Sequence, residues 1–329
     1  MRPLSPDWLE CLAALVEEGG FQGAAERLSI AQSAVSQRLQ AMEAQLGAVL
    51  VVRGRPLRAT PAGRLVLKHA MQMRLVNADL WRDLRQLVAG DVGSTIGDER
   101  IAIAVNADSI ATWALPALSA LVRKGLPLEI ITDDQDFTHE WLREGAVLGC
   151  VTTLRRALRG CRVVPLGAMD YVAVTIPPTL HRCCPDGLSS RGVADLPFVA
   201  FNRKDDLQAE FLRRALGLRR VNLRQRFVPS SEGQVRAVLA GWGASVVPEI
   251  LVRPLLDSGE LIDLFPSMRL SVDLYWHCWN LDSASLAALS DAVIAAAARS
   301  LGPQERAAAS RTGTKMPSRA RSASRSPSR

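Results

Sequence analysis

FQGAAERLSIAQSAVSQRLQAMEAQL, residues 21–46, reads as two short helices joined by a tight turn. In the second, Val35, Leu39, Met42 and Leu46 recur at steps of four, three and four, which places them on one buried face. The opposite face carries Gln32, Ser33, Ser36, Gln37 and Gln40. Its amides and hydroxyls are short and uncharged, and such groups reach base edges in a major groove. The first helix packs through Ala24, Ala25 and Leu28, small enough to let two helices cross closely. Two readings fit this pattern. One is a helix-turn-helix whose second helix reads DNA; the other is an ordinary helical hairpin with a polar outer face.

The flanking residues favour the first. VLVVRGRPLRA (49–59) predicts two short strands around an Arg-Gly-Arg-Pro tip. From Arg53 to Lys68 there are five basic residues, Arg53, Arg55, Arg58, Arg64 and Lys68, and no acidic one. A basic hairpin beside a reading helix is a wing that grips phosphates. Gln32, Ser33, Ser36, Gln37 and Arg38 are therefore expected to bind DNA from the helix, and Arg53 and Arg55 from the wing. Thr60 as N-cap and Pro61 at the first helical position start the next helix. On AAERLSIAQSAVSQRLQAMEAQLG followed by RATPAG, this segment resembles the N-terminal domain of LysR-type bacterial transcriptional regulators. It departs at Ala31, where that family usually has a Ser or Thr cap on the reading helix. Losing the cap costs ~0.5–2 kcal/mol unless Gln32 or Ser33 substitutes.

The length of 329 residues suggests two or three domains, and 48% hydrophobic content permits sizeable cores. The net charge of +7 is unevenly placed: residues 303–329, with seven Lys/Arg and one Glu, contribute +6, residues 1–90 contribute +3 and residues 91–302 contribute −2. This favours nucleic acid at the front and a cationic or neutral ligand behind. MRPLSPDWLE lacks the apolar core of a signal peptide, and no apolar run approaches the ~18 residues that span a membrane. A cytoplasmic, nucleoid-associated protein without membrane contact is expected. Cys11, Cys150, Cys161, Cys183, Cys184 and Cys278 form no CxxC pair, and His69, His139, His181 and His277 form no HxxxH. Adjacent Cys183 and Cys184 suit a soft metal or an oxidation switch, against the plainer reading of reduced thiols. No metal, cofactor or structural disulfide is expected.

Residues 6–18 predict a first helix with Leu9, Leu12, Ala13 and Val16 facing inward. Residues 61–88 predict one long helix, in which Val66, Ala70, Met73, Asn77, Leu80, Leu84 and Leu87 follow a 4-3-4-3-4-3 seam. Such a stripe is either a dimerisation seam, with polar Asn77 fixing register, or single-chain packing. Beside a DNA reader the dimer has a physical rationale, because two linked readers bind a two-part site far more tightly than one.

After a glycine-marked hinge at 90–99, the chain alternates strands and helices: IAIAV, ATWALPALSALV, LEIIT, FTHEWLREG and VLGCV. That is α/β organisation, read as a mainly parallel sheet. DYVAVTI, PFVAF, LRQRFVP, ASVVP, ELIDLF and LSVDLYWHCW predict further strands, with helices at 206–216, 231–241 and 283–300. Ligands of open α/β sheets sit beyond the carboxyl ends of strands, near helix N-termini. NADSIATW (106–113), TDDQD (132–136) and VPSSEGQV (228–235) are the candidate corners. Ser109, Ser230 and Ser231 offer hydroxyls to a carboxylate; Asp108, Asp133, Asp134 and Glu232 offer anions to cationic groups, with Trp113 beside them. A basic amino acid needs both kinds of partner. The bland alternatives are that the serines cap helices and the acids are solvated.

Residues 100–300 resemble the effector domain of the same LysR-type family, which implies a two-lobed periplasmic-binding-protein-like fold. NADSIATW, LGAMDYVAV, PFVAF with DDLQAEFL, PSSEG, SGELIDLFP and LYWH are similar to the subgroup sensing lysine and arginine, which activates basic amino-acid exporter genes. The resemblance implies a homodimer or homotetramer that works with RNA polymerase. The domains expected are 1–60 (winged helix-turn-helix), 61–89 (linker and dimerisation helix), 90–99 (hinge), 100–302 (effector domain) and 303–329 (disordered basic tail). Lobe I would hold 100–170 and 273–301, and lobe II 171–272. An enzyme is disfavoured because no G-x-S-x-G elbow or glycine-rich phosphate loop is present. A transport-type binding protein and an architectural or replication-origin DNA binder are the other readings.

Overall fold

The computed structural model describes residues 3–304, apart from 53, 55, 88–99, 134–135, 186, 189–192 and 194, and excludes the side chains of 85–87. The expectations for Arg53, Arg55, Asp134, the Leu87 side chain, the 90–99 hinge and the tail beyond 304 lie outside the described residues.

The first unit comprises α1 (Pro6–Glu17), α2 (Phe21–Leu28), α3 (Gln32–Leu46) and a two-stranded wing, β1 (Val51–Val52) with β2 (Arg58–Ala59). The wing is antiparallel, Val51 facing Ala59. Val35, Leu39 and Met42 are buried against Leu12, Leu15, Ala24 and Leu50, so the inward face of α3 is the one its spacing predicts. The α2–α3 turn is made by Ser29 in the left-handed conformation, φ 53°. Ala31 stands at the N-cap of α3, and no side chain makes a cap hydrogen bond there. Among the described residues no hydrogen bond from the Gln32 or Ser33 side chain replaces the missing cap.

Thr60 locks the wing to α4 (Pro61–Leu87). Its hydroxyl donates to the Val49 carbonyl at 2.7 Å and accepts from the Gly63 N–H at 3.0 Å. A Cβ at Gly63 would lie 2.0 Å from the Leu50 carbonyl oxygen, so only glycine fits. The Arg74 guanidinium reaches back to Glu10 at 2.8 Å and Glu17 at 2.9 Å on α1. The same helix also meets the second half of the chain: Lys68 Nζ donates to the Arg159 carbonyl at 3.2 Å and lies 5.6 Å from the Trp279 ring centroid. Asp79 accepts from Ser283 at 2.5 Å and from Ser285 and Arg82. Burial alone would raise the Asp79 carboxyl, but these hydrogen bonds outweigh it and hold the group below the usual carboxylate range. The predicted 66-to-87 seam is divided. Val66 packs on the core of the first unit and Ala70 is buried within this chain, whereas Met73, Asn77, Leu80 and Leu84 stay exposed together with Val76.

The second unit contains β3 (Ile101–Asn106), α5 (Ala107–Ser109), a π-helical turn (Ile110–Ala114), α6 (Leu115–Arg123), β4 (Leu128–Asp133), α7 (Thr138–Glu144), β5 (Gly149–Thr152) and β6 (Cys161–Thr175). It continues with α8 (Pro177–Cys183), β7 (Phe198–Ala200), α9 (Leu207–Leu216), β8 (Gln225–Phe227) and α10 (Ser231–Leu239). β9 (Ser245–Pro248), α11 (Glu249–Asp257), β10 (Ile262–Asp263), β11 (Leu270–Trp279) and α12 (Ala284–Ser300) complete it. The large sheet has the order β10-β6-β11-β5-β3-β4, with β9 also pairing β6.

This sheet is not mainly parallel. β3 runs parallel to β4 and β5, but β6 pairs antiparallel with β11, β9 and β10, and β11 antiparallel with β5. The cause is β6. Its first part, Cys161 to Tyr171, lies along β11, and its last, Tyr171 to Thr175, lies along β9 and β10. One strand thus serves both lobes. Only 170–176 reads as a strand in the sequence, because Pro165 and Gly167 interrupt the apolar run. β7 and β8 form a short parallel pair, linked by a Phe198–Ala244 bridge to the segment entering β9.

Candidate DNA-reading face and effector cleft

Gln32, Ser33, Gln37 and Gln40 are exposed on α3 and Ser36 is half-buried, so the polar face is open to a partner. Arg38 sits at its margin, with its guanidinium 3.6 Å from the Asp7 carboxylate on α1. That places Arg38 between the outer face and the first helix rather than at the centre of the reading surface.

The cleft begins where β3 ends. Asn106 closes the strand, and the turn into α5 presents Asp108 and Ser109. Asp108 Oδ2 accepts from the Tyr171 hydroxyl at 2.7 Å, and Oδ1 accepts from Ser231 Oγ at 2.5 Å. Tyr171 lies on β6 and Ser231 starts α10, so this carboxylate joins three elements across the cleft. Among the described residues no Lys, Arg or His is at ion-pair distance from it; its hydrogen-bond donors are neutral hydroxyls. Burial pushes the Asp108 carboxyl up, the Ser231 and Tyr171 hydrogen bonds oppose this less strongly, and the nearby Asp205 charge adds to the rise.

Asn106, Asp108, Asp133, Phe201, Asp205 and Gln208 line an inner cavity of about 30 Å³. The Asn106 side-chain amide and Ser109 Oγ are buried with no hydrogen-bond partner among the described residues. Leaving such a group unpaired costs ~1–3 kcal/mol, and Asn106, which lines the cavity, marks a place where polar atoms of a ligand are wanted. Asp205 is committed to its loop, accepting from the Phe201 and Leu207 N–H groups at 2.9 Å each, and contributes its charge from there. Asp133, at the end of β4, accepts from Trp141 Nε1 at 3.1 Å. It also lines a larger outer cavity of about 460 Å³.

The structure brings Asp108 and Asp133 to the inner cavity, with Ser231 hydrogen-bonded to Asp108. Ser109 is buried and lines neither cavity. Three others are separated from the site. Ser230 is the exposed N-cap of α10, its hydroxyl accepting from the Gly233 N–H at 3.1 Å. Glu232 is exposed on the first turn of α10 and lines neither cavity. Trp113 is buried in the π-helical turn, its Nε1 without a partner among the described residues, and also lines neither cavity. Asn106, Tyr171, Asp205 and Gln208 were missed in the sequence. All four lie within stretches that carry the family resemblance, but nothing in their spacing distinguishes them.

Residues 6–64 match the bacterial regulatory helix-turn-helix protein model of the lysR family, and residues 97–298 match the LysR substrate binding domain. The chain is 41% identical over 298 residues to the HTH-type transcriptional regulator LysG of Mycobacterium tuberculosis, with 91% of this chain and 95% of that protein covered. ArgP from Mycobacterium tuberculosis has a similar solved structure, with a TM-score of 0.78 at 40% identity, covering 92% of this chain and all of that one. Full-length LysG from Corynebacterium glutamicum with bound effector arginine gives a TM-score of 0.72 at 35% identity, covering 91% and 100%. A DNA-reading front and an effector-binding back matched in one chain have one meaning: it belongs to the LysR family of bacterial helix-turn-helix transcriptional regulators and is not an enzyme.

Proposed function

We propose that this regulator senses a small basic amino acid, lysine or arginine, in the cleft around Asp108. The observation that carries the proposal is the Asp108 carboxylate, partly buried, bridging the cleft and held by two hydroxyls with no cation beside it. A ligand ammonium supplies the missing charge. In this reading Asp108 takes the α-amino group, Ser109 and Ser231 meet the α-carboxylate, and Asp133 faces the side-chain cation. Ser230 acts through the helix start it caps. The arginine held by the related LysG structure supports a ligand of this class.

The division of labour follows the expected domains: 1–60 read DNA, 61–89 pair two chains, 90–99 hinge, and 100–302 bind effector. Gln32, Ser33, Ser36 and Gln37 read bases, with Arg38, Arg53 and Arg55 on phosphates. Met73, Asn77, Leu80 and Leu84 face a second copy of the chain, and Leu87 continues the seam. Dimers pair further into a tetramer on the bacterial nucleoid, where the effector state changes the engagement of RNA polymerase at genes for basic amino-acid export. No described helix is long and apolar enough to cross a membrane. Thermal melting with a panel of amino acids tests the reading. An effector at 100 times its dissociation constant adds ~2.7 kcal/mol to stability. Equal melting with lysine, arginine and norleucine would refute it.

A further inference from the structure

The outer cavity has two unlike walls. Asp133, Phe137 and Trp141 lie on one, with Glu140 and Glu144; Lys204 projects from the other. Lys204 Nζ is 4.9 Å from the Phe137 ring centroid, within cation–π range. The loop that presents it is fixed: the Lys204 N–H donates to Asn202 Oδ1 at 2.7 Å, and Asp205 ties Phe201 to Leu207. Two of the other charged residues lining this cavity are engaged elsewhere. Glu140 pairs with Arg143 at 3.0 Å, and the Arg203 guanidinium lies over Phe227 at 5.6 Å.

We propose that Lys204 is a specificity-determining residue, whose ammonium occupies the aromatic and acidic subsite that the side-chain cation of the effector takes over. This rests on the effector reading above. A basic amino acid anchored at Asp108 extends past Asp133, the residue shared by both cavities, and its terminal cation meets the Phe137 wall. Two cations on one ring face repel, so the ligand must displace Lys204. The displaced contact is weak because Lys204 is exposed. Lys204 thereby lowers affinity for cationic side chains while leaving neutral ones of the same shape unaffected, and sets the effector concentration at which the regulator responds.

The test is calorimetry on the full chain with L-arginine and its neutral isostere L-citrulline. Lys204→Met keeps the stem and removes the charge; it should tighten arginine three- to tenfold and leave citrulline within twofold. Lys204→Arg should keep the wild-type preference. Phe137→Leu, which removes the ring and retains Lys204, should weaken arginine and leave citrulline within twofold. Equal weakening of both ligands in Lys204→Met would overturn the proposal, since Lys204 would then only hold the lobes together. Unchanged arginine affinity would overturn it too. Wild-type protein that binds neither arginine nor lysine would instead overturn the effector reading itself, and this inference with it.

Discussion

Asp108→Asn separates a ligand anchor from a structural acceptor, because the two roles predict opposite signs. In the free protein the carboxylate is desolvated without a cation, and its pKa is raised chiefly by that burial. A group with a raised folded pKa contributes stability that is present below the unfolded value of ~3.9 and is lost as pH rises through the folded value. Above that pH the charged form is a burden on the unliganded protein. The substitution removes this burden and keeps a side chain that can still bond Tyr171 and Ser231. Unliganded Asp108→Asn should therefore melt no lower than wild type at pH 8. The ligand-bound state behaves oppositely. A charge-assisted contact to the α-ammonium is worth about 1.5–3 kcal/mol, and ~1.4 kcal/mol is tenfold in affinity. Lysine should bind roughly ten- to a hundredfold more weakly, and its protection against melting at a fixed concentration should shrink accordingly. Wild-type binding should also release a proton as pH falls towards the raised pKa, visible as a buffer-dependent binding enthalpy that Asp108→Asn lacks. An unliganded variant that loses several kcal/mol of stability at pH 8 while keeping lysine affinity would refute the reasoning and make Asp108 a structural acceptor.

Four further outcomes follow from the same structure. Ala31→Ser supplies the absent cap on α3 and should raise stability by ~0.5–2 kcal/mol in chemical denaturation. Gln37→Ala should cost ~1–3 kcal/mol on the cognate site and little on random DNA in a binding titration; equal losses on both would remove Gln37 from the bases. Leu80→Asp, at a side chain 53% exposed in the single chain, should leave monomer stability nearly unchanged yet give monomers in light scattering at micromolar concentration. Asp79→Asn should lower stability at neutral pH. Because the folded pKa of Asp79 is depressed, that loss should fade as pH falls through it, which paired denaturation curves at several pH values would detect.

The sequence by itself determined the DNA-reading unit. Its evidence is local: the four-three-four spacing of Val35, Leu39, Met42 and Leu46, the Thr60-Pro61 helix start and the basic run after Arg53 are each written in a short stretch of neighbouring residues. It also determined the long helix α4 and the alternation of strands and helices behind it. Tertiary structure alone decided the sheet directions, since β6 gains its partners from residues 71 to 118 positions further along the chain, and no local pattern specifies them. It decided how the α4 stripe is shared, with Val66 and Ala70 taken into this chain and Leu80 and Leu84 left outside. The cleft is the clearest division. Asp108 and Ser231 stood out as residues after a strand and at a helix start, but Tyr171 and Asp205 did not. A carboxylate's environment is made by groups that approach through space: Ser231 is 123 positions from Asp108, and Tyr171 is 63.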